Sequence, residues 1–452
     1  MKRLLAGAAR SCITPTLGCH ICGYFSDRIA QDVHDDLYAK ALVLDNGEES
    51  LAIVVCDLIA LYKEDAEIAK ERASRLTGIP PDHILVACTH THFGPASVPA
   101  LGTPRDEAFV ENAMERVGDA VKLAQNRLVE AELGVATSTC PGECFNRRWR
   151  MRDGSVRMNP GYENPDALEP AGPTDPEVVV LAVRDLERQP IALLANYALH
   201  YVGGPYPLSI SADYFGYFDR ALQRLAGREF VAIMANGCCG DINNCDFSRP
   251  EPEMPHPFFQ AERVGNVLAG VAYAAWQGLR GFEYDRAPAL SVVTEVIPFR
   301  RRMPTPEQLE SARLLLQENE HKLANASPDA EPEEFRRLIY ARELLLVAQE
   351  PLERPTPVMG MRIGKLGIVG LPGEIFVEYG LQIKARSPFR PTMVVELAND
   401  YVGYCPTDRA LAEGSYETEL ARSAKAAPGT ERQMVEAALR ALGQLAASQH
   451  TK

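Results

Sequence analysis

Several features are missing from this chain, and each absence removes a class of function. No apolar run approaches the roughly 20 consecutive residues a helix needs to span a bilayer, so stable membrane insertion is not expected. Basic residues are outnumbered, 47 against 61 acidic ones, and the formal charge is -14 with a pI near 5.3. Phosphate recognition needs clustered Lys and Arg, so no nucleic-acid partner is expected. No internal repeat or low-complexity tract is evident. The 11 cysteines are scattered and odd in number. Cys238 and Cys239 are adjacent, and Cys19 and Cys22 form a Cys-x-x-Cys pair without the second pair that a structural zinc knot requires. Free thiols in a reducing compartment follow. Arg10 also cuts the apolar start well short of a secretory core, so the expected residence is cytoplasmic.

What is present reads as an α/β protein. The 452 residues, 46% hydrophobic, can bury a large core, and length alone would permit roughly two to four domains. Short runs rich in Val, Ile and Leu predict strands at 41–44, 50–55, 83–87, 177–183, 191–195, 230–234, 289–293, 367–369 and 393–397. Helical segments fall between several of them, at 63–76, 104–125, 217–225 and 260–279, and such alternation points to an α/β fold. The turn-rich stretch 140–160 predicts an antiparallel hairpin around Asp153-Gly154. Residues 303–352 shift to charged helical composition, broken by Asn325-Ala326-Ser327-Pro328, and predict a helical-pair insertion on the outside and a contact surface for a homo-oligomer. A closing amphipathic helix over 431–445 directs Val435, Leu439 and Leu442 to the body. Arg147, Arg148, Arg150, Arg152 and Arg157 form a basic stretch, readable as a solvated hairpin or as a hint that a small-molecule substrate is anionic.

Four apolar runs end in a metal-capable residue beside a glycine: Thr89-His90-Thr91-His92-Phe93-Gly94-Pro95, His200-Tyr201-Val202-Gly203, Gly373-Glu374 and Gly403-Tyr404. Strands of α/β proteins deliver functional side chains at their carboxyl ends, so the four endings predict one shared site, read as a zinc centre. In extended chain His90 and His92 point to the same side. Each residue also has a plainer reading. The two histidines could hydrogen-bond beside a turn, His200 could be a satisfied core residue, Glu374 a carboxylate at a helix N-terminus, and Tyr404 a packing residue with a wet hydroxyl.

The sequence resembles the neutral/alkaline, non-lysosomal ceramidase family over residues 6–420. The resemblance rests on Ala8-Ala9-Arg10-Ser11-Cys12-Ile13-Thr14-Pro15, His34-Asp35-Asp36-Leu37-Tyr38-Ala39-Lys40-Ala41, the His90/His92 motif, Asn146-Arg147, Asn236-Gly237-Cys238-Cys239-Gly240-Asp241-Ile242-Asn243, Leu371-Pro372-Gly373-Glu374, and Tyr404 through Tyr416-Glu417. It implies a ceramidase-like catalytic domain spanning 1–452, with a mixed sheet core flanked by helices. It also implies a catalytic Zn2+ held by His90, His200, Glu374 and Tyr404, with His92, Arg147 and Tyr416 holding and polarising a scissile amide. Where the family carries a serine that takes part in amide cleavage, this chain has Asn243, which cannot act as such a nucleophile and could instead donate to substrate or oxyanion. Asp241 would orient a neighbouring group or close an Asx-type turn. No room is expected for the C-terminal β-sandwich of full-length ceramidases.

A mechanism remains without the serine. Water acidified by zinc to a pKa of about 7 can attack a carbonyl the metal polarises. The expectation is a zinc-dependent hydrolase cleaving an amide or related acyl bond in a soluble small molecule. The alternatives are a zinc-dependent lyase or isomerase acting on a sugar-like acid, and a catalytically silent, metal-stabilised binding protein.

Overall fold

A computed structural model of the chain describes residues 3–203, 208–319 and 332–447. One sheet contains β1 (Leu5–Cys12), β2 (Tyr38–Asp45), β3 (Ser50–Cys56), β4 (Ile84–Cys88), β5 (Val129–Thr139), β6 (Glu177–Asp185), β7 (Pro190–Tyr197) and β8 (Val231–Asn236). Their spatial order is β8-β7-β6-β5-β1-β2-β3-β4. A second sheet holds β9 (Leu290–Arg300), β10 (Glu353–Ile363), β11 (Leu366–Gly370) and β12 (Thr392–Val395) in chain order. The helices are α1 (Lys63–Thr77), α2 (Glu107–Gln125), α3 (Asp213–Ala226), α4 (Phe259–Gly278), α5 (Pro306–Glu318), α6 (Pro332–Gln349), α7 (Val377–Arg386) and α8 (Thr430–Ala447).

The two sheets are built from one unit used three times. Strands β1 to β3 form an antiparallel meander, α1 crosses to the parallel strand β4, and α2 closes the unit. Strands β5 to β7, α3, β8 and α4 repeat the pattern, as do β9 to β11, α7, β12 and α8. This corrects the reading that the chain has no internal repeat. The repeat lives in strand direction and burial, which many apolar residues satisfy equally, so no self-similar residue pattern is required. The two copies in the large sheet meet where β5 pairs antiparallel with β1.

Alternation along the strands sorts the cores. Ala41 and Val43 face α1 and α2, where they meet Ala66, Ala69 and Val117, while Leu42 and Leu44 face inward and share a cluster with Met359, Met361 and Ile363 of the second sheet. Helices α3 and α4 cover the other half of the large sheet, and α7 and α8 cover the second sheet. Val435 and Leu442 of α8 are buried there, and Leu439 packs at its edge.

Three long strands escape the hydrophobic pattern for identifiable reasons. β1 is small-residue rich because the end of α2 lies against it: a methyl at Gly7 would sit 2.2 Å from the Ala124 carbonyl oxygen. β5 carries Glu130 and Glu132 in its first half and the polar run Thr137-Ser138-Thr139 at its partly exposed end. β10 contains Pro355 and Pro357, which fall in the half bordered by β9 alone, beyond the β11 pairing that begins at Met359. A proline there removes no ladder donor on the other side.

The helical pair α5–α6 enters between β9 and β10. The expected turn at Asn325-Ala326-Ser327-Pro328 lies outside the described residues. α5 begins with a Thr305–Gln308 capping box and is mostly exposed. α6 is set into the body, with Leu338, Ile339, Glu343 and Val347 buried and Glu343 clasped bidentately by Arg422. All eleven cysteines are unpaired. Among the described residues no helix is long and apolar enough to cross a membrane.

Candidate metal centre

Each repeat ends its parallel pair at the same place. Asn236, at the end of β8, donates through Nδ2 to the Thr89 carbonyl (2.9 Å) just past β4. Its own carbonyl accepts from the Glu396 N–H (3.1 Å) just past β12, and the Leu397 carbonyl accepts from the Cys88 N–H (3.3 Å). The three fourth strands thereby close a ring of hydrogen bonds, and the loops leaving their carboxyl ends share one buried space.

Into that space the first repeat sends His90 and His92, the second His200, and the third Glu374 and Tyr404. His90, His92 and His200 are buried, with ligand-capable nitrogens all within 4.8 Å of one another. Glu374 and Tyr404 are directly paired across two short parallel strands, Glu374–Ile375 and Tyr404–Cys405. Arg147 donates through Nη2 to the Tyr404 Oη (3.1 Å), and the Tyr416 ring lies edge-on to Tyr404 at 5.7 Å. On its other side Tyr416 lines an open cavity of about 520 Å³ with Arg157, Arg336 and Glu419.

The tautomers of two histidines follow from their backbone partners. His90 Nδ1 is 2.7 Å from the Ile59 carbonyl and His200 Nδ1 is 3.2 Å from the Cys239 carbonyl, so each Nδ1–H donates and each Nε2 keeps a lone pair. Glu374 Oε2 lies 3.2 Å from His90 Nε2 and 3.7 Å from His200 Nε2. Neither that oxygen nor His200 Nε2 has a hydrogen-bond partner, and both His92 nitrogens are orphaned as well. Buried acceptors crowded together without a donor are costly unless a cation sits among them, so the cluster fits a metal ion. Glu374 Oε1 is held separately by the Tyr401 hydroxyl (2.8 Å).

The electrostatics hold two of the three rings neutral and pair the third with the carboxylate. Burial pushes His200 well below the ordinary imidazole range, with Arg147 and the other histidines adding to it, so the ring is neutral and able to ligate. His92 is lowered in the same way by burial, then by His90. Burial opposes the charged form of His90, yet the Glu374 charge outweighs it and raises the group. For Glu374 burial works upward, and His90 and its hydrogen-bond donors outweigh it, leaving the carboxyl below its usual range. The Tyr404 phenol is pushed well up by burial and Glu374, against Arg147, so ionising it requires a cation.

Two residues assigned to chemistry on the sequence have their polar atoms engaged elsewhere. Asp241 accepts from the Val377 N–H (2.9 Å) at the start of α7 and from Asn146 Nδ2 (2.7 Å), while its carbonyl holds the Arg147 N–H (2.9 Å). It ties the Arg147 strand to α7. The Asn243 amide donates to Asn159 Oδ1 (2.9 Å) and accepts from the Cys245 N–H (3.0 Å). The basic stretch is compensated throughout. Arg147 and Arg148 both reach Glu417 at 2.9 Å, Arg150 reaches Glu413 at 2.9 Å, Arg157 reaches Asp153 at 3.0 Å, and Arg152 lies 3.7 Å from Asp166. It folds as the expected hairpin, Arg148–Met151 against Val156–Met158.

Sequence reasoning missed Tyr401, Glu396 and Glu417, all part of this centre. Glu417 stood beside Tyr416 in a quoted motif. Nothing local distinguishes Tyr401 or Glu396 from packing and surface residues.

Fold and site together define a mixed α/β architecture with a buried side-chain cluster able to hold a metal ion. Two solved structures of ceramidases are similar to it. The neutral ceramidase of Pseudomonas aeruginosa matches with a TM-score of 0.74 at 18% identity, covering 99% of this chain and 75% of that one. A ceramidase complexed with C2 matches with a TM-score of 0.72 at 18% identity, covering 99% and 76%. The chain therefore has the ceramidase fold. No family model matches its sequence.

Proposed function

We propose that the chain is a zinc-dependent hydrolase that cleaves an amide or related acyl bond in a soluble small molecule with water as nucleophile. The observation that carries this reading is the convergence of His90 Nε2, His200 Nε2 and Glu374 Oε2 in one buried space, the last two without any hydrogen-bond partner. His90, His200, Glu374 and Tyr404 would hold the ion. When bound, the metal supplies Lewis acidity, polarising a carbonyl and acidifying water. His92, neutral and with both nitrogens free, takes a proton from the attacking water and returns one to the leaving amine. Arg147 fixes the Tyr404 oxygen, and Tyr416, whose ring lies edge-on to Tyr404, would supply its hydroxyl as donor to a developing oxyanion. Asn243 offers no nucleophilic oxygen, which leaves the hydroxyl of the product acid to come from water.

Elemental analysis of protein purified without added metal tests the first half, and the expected value is close to one zinc per chain. Turnover of a panel of N-acyl compounds, followed by amine release, tests the second. Protein without metal, or loaded protein that releases no amine from any of them, would remove the proposal.

The His92 role has its own test. Gly23, at φ +113°, packs so tightly on His92 that a methyl group there would lie 2.4 Å from Nδ1, while Tyr201 stacks on the ring at 3.5 Å between centroids. Gly23→Ala is expected to lower turnover by about 100-fold through misplacement of the ring, with metal content unchanged. The strained backbone adds a stability loss of about 1–3 kcal/mol. Loss of metal in this variant would instead place His92 among the ligands.

A further inference from the structure

Behind the centre, Glu396 is fully buried and faces two of the loops that carry it. Its Oε2 accepts from the Ile375 N–H (2.8 Å), the residue after Glu374, and from the Cys239 N–H (3.1 Å). Its Oε1 accepts from the Cys239 thiol (2.8 Å). Cys239 in turn presents the carbonyl that fixes the His200 ring through Nδ1. The Glu396 backbone N–H reaches Asn236, whose side chain holds the Thr89 carbonyl next to His90. One residue thus holds Ile375 beside Glu374 and Cys239 behind His200, and reaches the His90 loop through Asn236, while its own hydrogen bonds go to no ligand.

We infer that Glu396 is the positioning residue that sets His200 and Glu374 in register with each other, so that their acceptor atoms meet at a distance a single ion can span. The inference rests on the metal reading of the site. A carboxylate suits the place because one oxygen can accept from two backbone N–H groups of different loops at once, while the other receives the thiol. The amide oxygen of a glutamine could make the same double contact. A leucine of similar size would leave both N–H groups buried without an acceptor and release the loops from each other.

Titration of the metal-free protein with Zn2+ against a chromophoric chelator, and with Co2+ followed by its visible absorption, tests this. Glu396→Leu is expected to weaken Zn2+ binding by about 10- to 100-fold and to alter the Co2+ spectrum, the usual effect of losing a partner behind a metal ligand. Glu396→Gln is expected to stay within about 3-fold of the parent and to keep its spectrum, because it keeps the double contact. A purely structural role would lower the melting temperature of Glu396→Leu while leaving affinity and spectrum as in the parent, and that result overturns the inference. If Glu396→Leu does not fold, Glu396→Asp decides: its carboxylate is one methylene too short to reach both loops, and affinity equal to that of Glu396→Gln overturns the inference. A parent protein that binds neither ion overturns the metal reading itself and this inference with it. A parent that binds while the Leu or Asp variant binds equally well removes the positioning role alone.

Discussion

His200→Ala protein is expected to be purified without bound metal and to show no change in melting temperature on adding a chelator, whereas the parent loses stability under the same treatment. The reasoning starts from the orphaned atom. His200 Nε2 is buried without a partner and its Nδ1–H is committed to the Cys239 carbonyl, so the ring has nothing to do in the fold that requires that lone pair. Without it, two nearby acceptors, His90 Nε2 and Glu374 Oε2, remain at 3.2 Å. An ion present at about 1,000 times its dissociation constant stabilises the parent by about 4 kcal/mol, and the variant forfeits that amount. The truncation itself leaves a small cavity costing about 1–3 kcal/mol, which a metal-free parent used as reference will separate from the ligation effect. Hydrolysis is expected to fall by at least about 1,000-fold, since the Lewis acid is worth several kcal/mol in the transition state. Metal content measured on both proteins, with thermal melts taken before and after chelation, checks the result. A variant that keeps its metal would show that His200 is a core histidine after all.

Glu417→Ala should produce the largest loss of stability in the molecule short of disrupting the core, about 3–5 kcal/mol. Its carboxylate is fully buried and is shared by two guanidinium groups, Arg147 Nε and Arg148 Nη1, each at 2.9 Å and each nearly inaccessible to solvent. Removing it leaves two positive charges in a low-dielectric interior with little else to pair them: Glu413 lies 3.7 Å from Arg148, and Arg147 retains only the Tyr404 hydroxyl. Arg147 then loses the anchor that aims it at Tyr404, so activity falls with stability. An exposed pair gives the contrast. Breaking Arg386–Glu436 with Glu436→Ala is expected to cost less than about 0.5 kcal/mol, because both partners are close to half exposed and solvent screens them. Urea unfolding of the parent and the two variants checks both figures. A Glu417→Ala loss below 1 kcal/mol would mean that water or a neighbouring acid reaches the two arginines.

The proposed ligands were legible in the sequence because His90, His200, Glu374 and Tyr404 lie in segments where apolar runs end near a glycine, and His92 because it shares a face with His90 by the alternation of extended chain. Four predicted ligands do come together. Asn243 and Asp241 find their hydrogen-bond partners within the protein, at Asn159, Cys245, Asn146 and Val377, because a side chain's type shows what it can donate or accept and only its neighbours decide where that capacity is used. The partners of Arg147, Arg148 and Arg150 were hidden in the same way, since Glu413 and Glu417 lie more than 250 positions further along the chain.

The α/β class and nine of the twelve strands of the two sheets were therefore legible in the sequence itself, since apolar periodicity is local, and the candidate ligands came from short motifs read through the family resemblance. The threefold use of one β-β-β-α-β-α unit, the meeting of β4, β8 and β12, and the support given by Tyr401, Glu396 and Glu417 were decided only by the tertiary structure. A carboxylate or a strand end acquires its meaning from partners that chain folding, rather than chain order, brings within 3 Å.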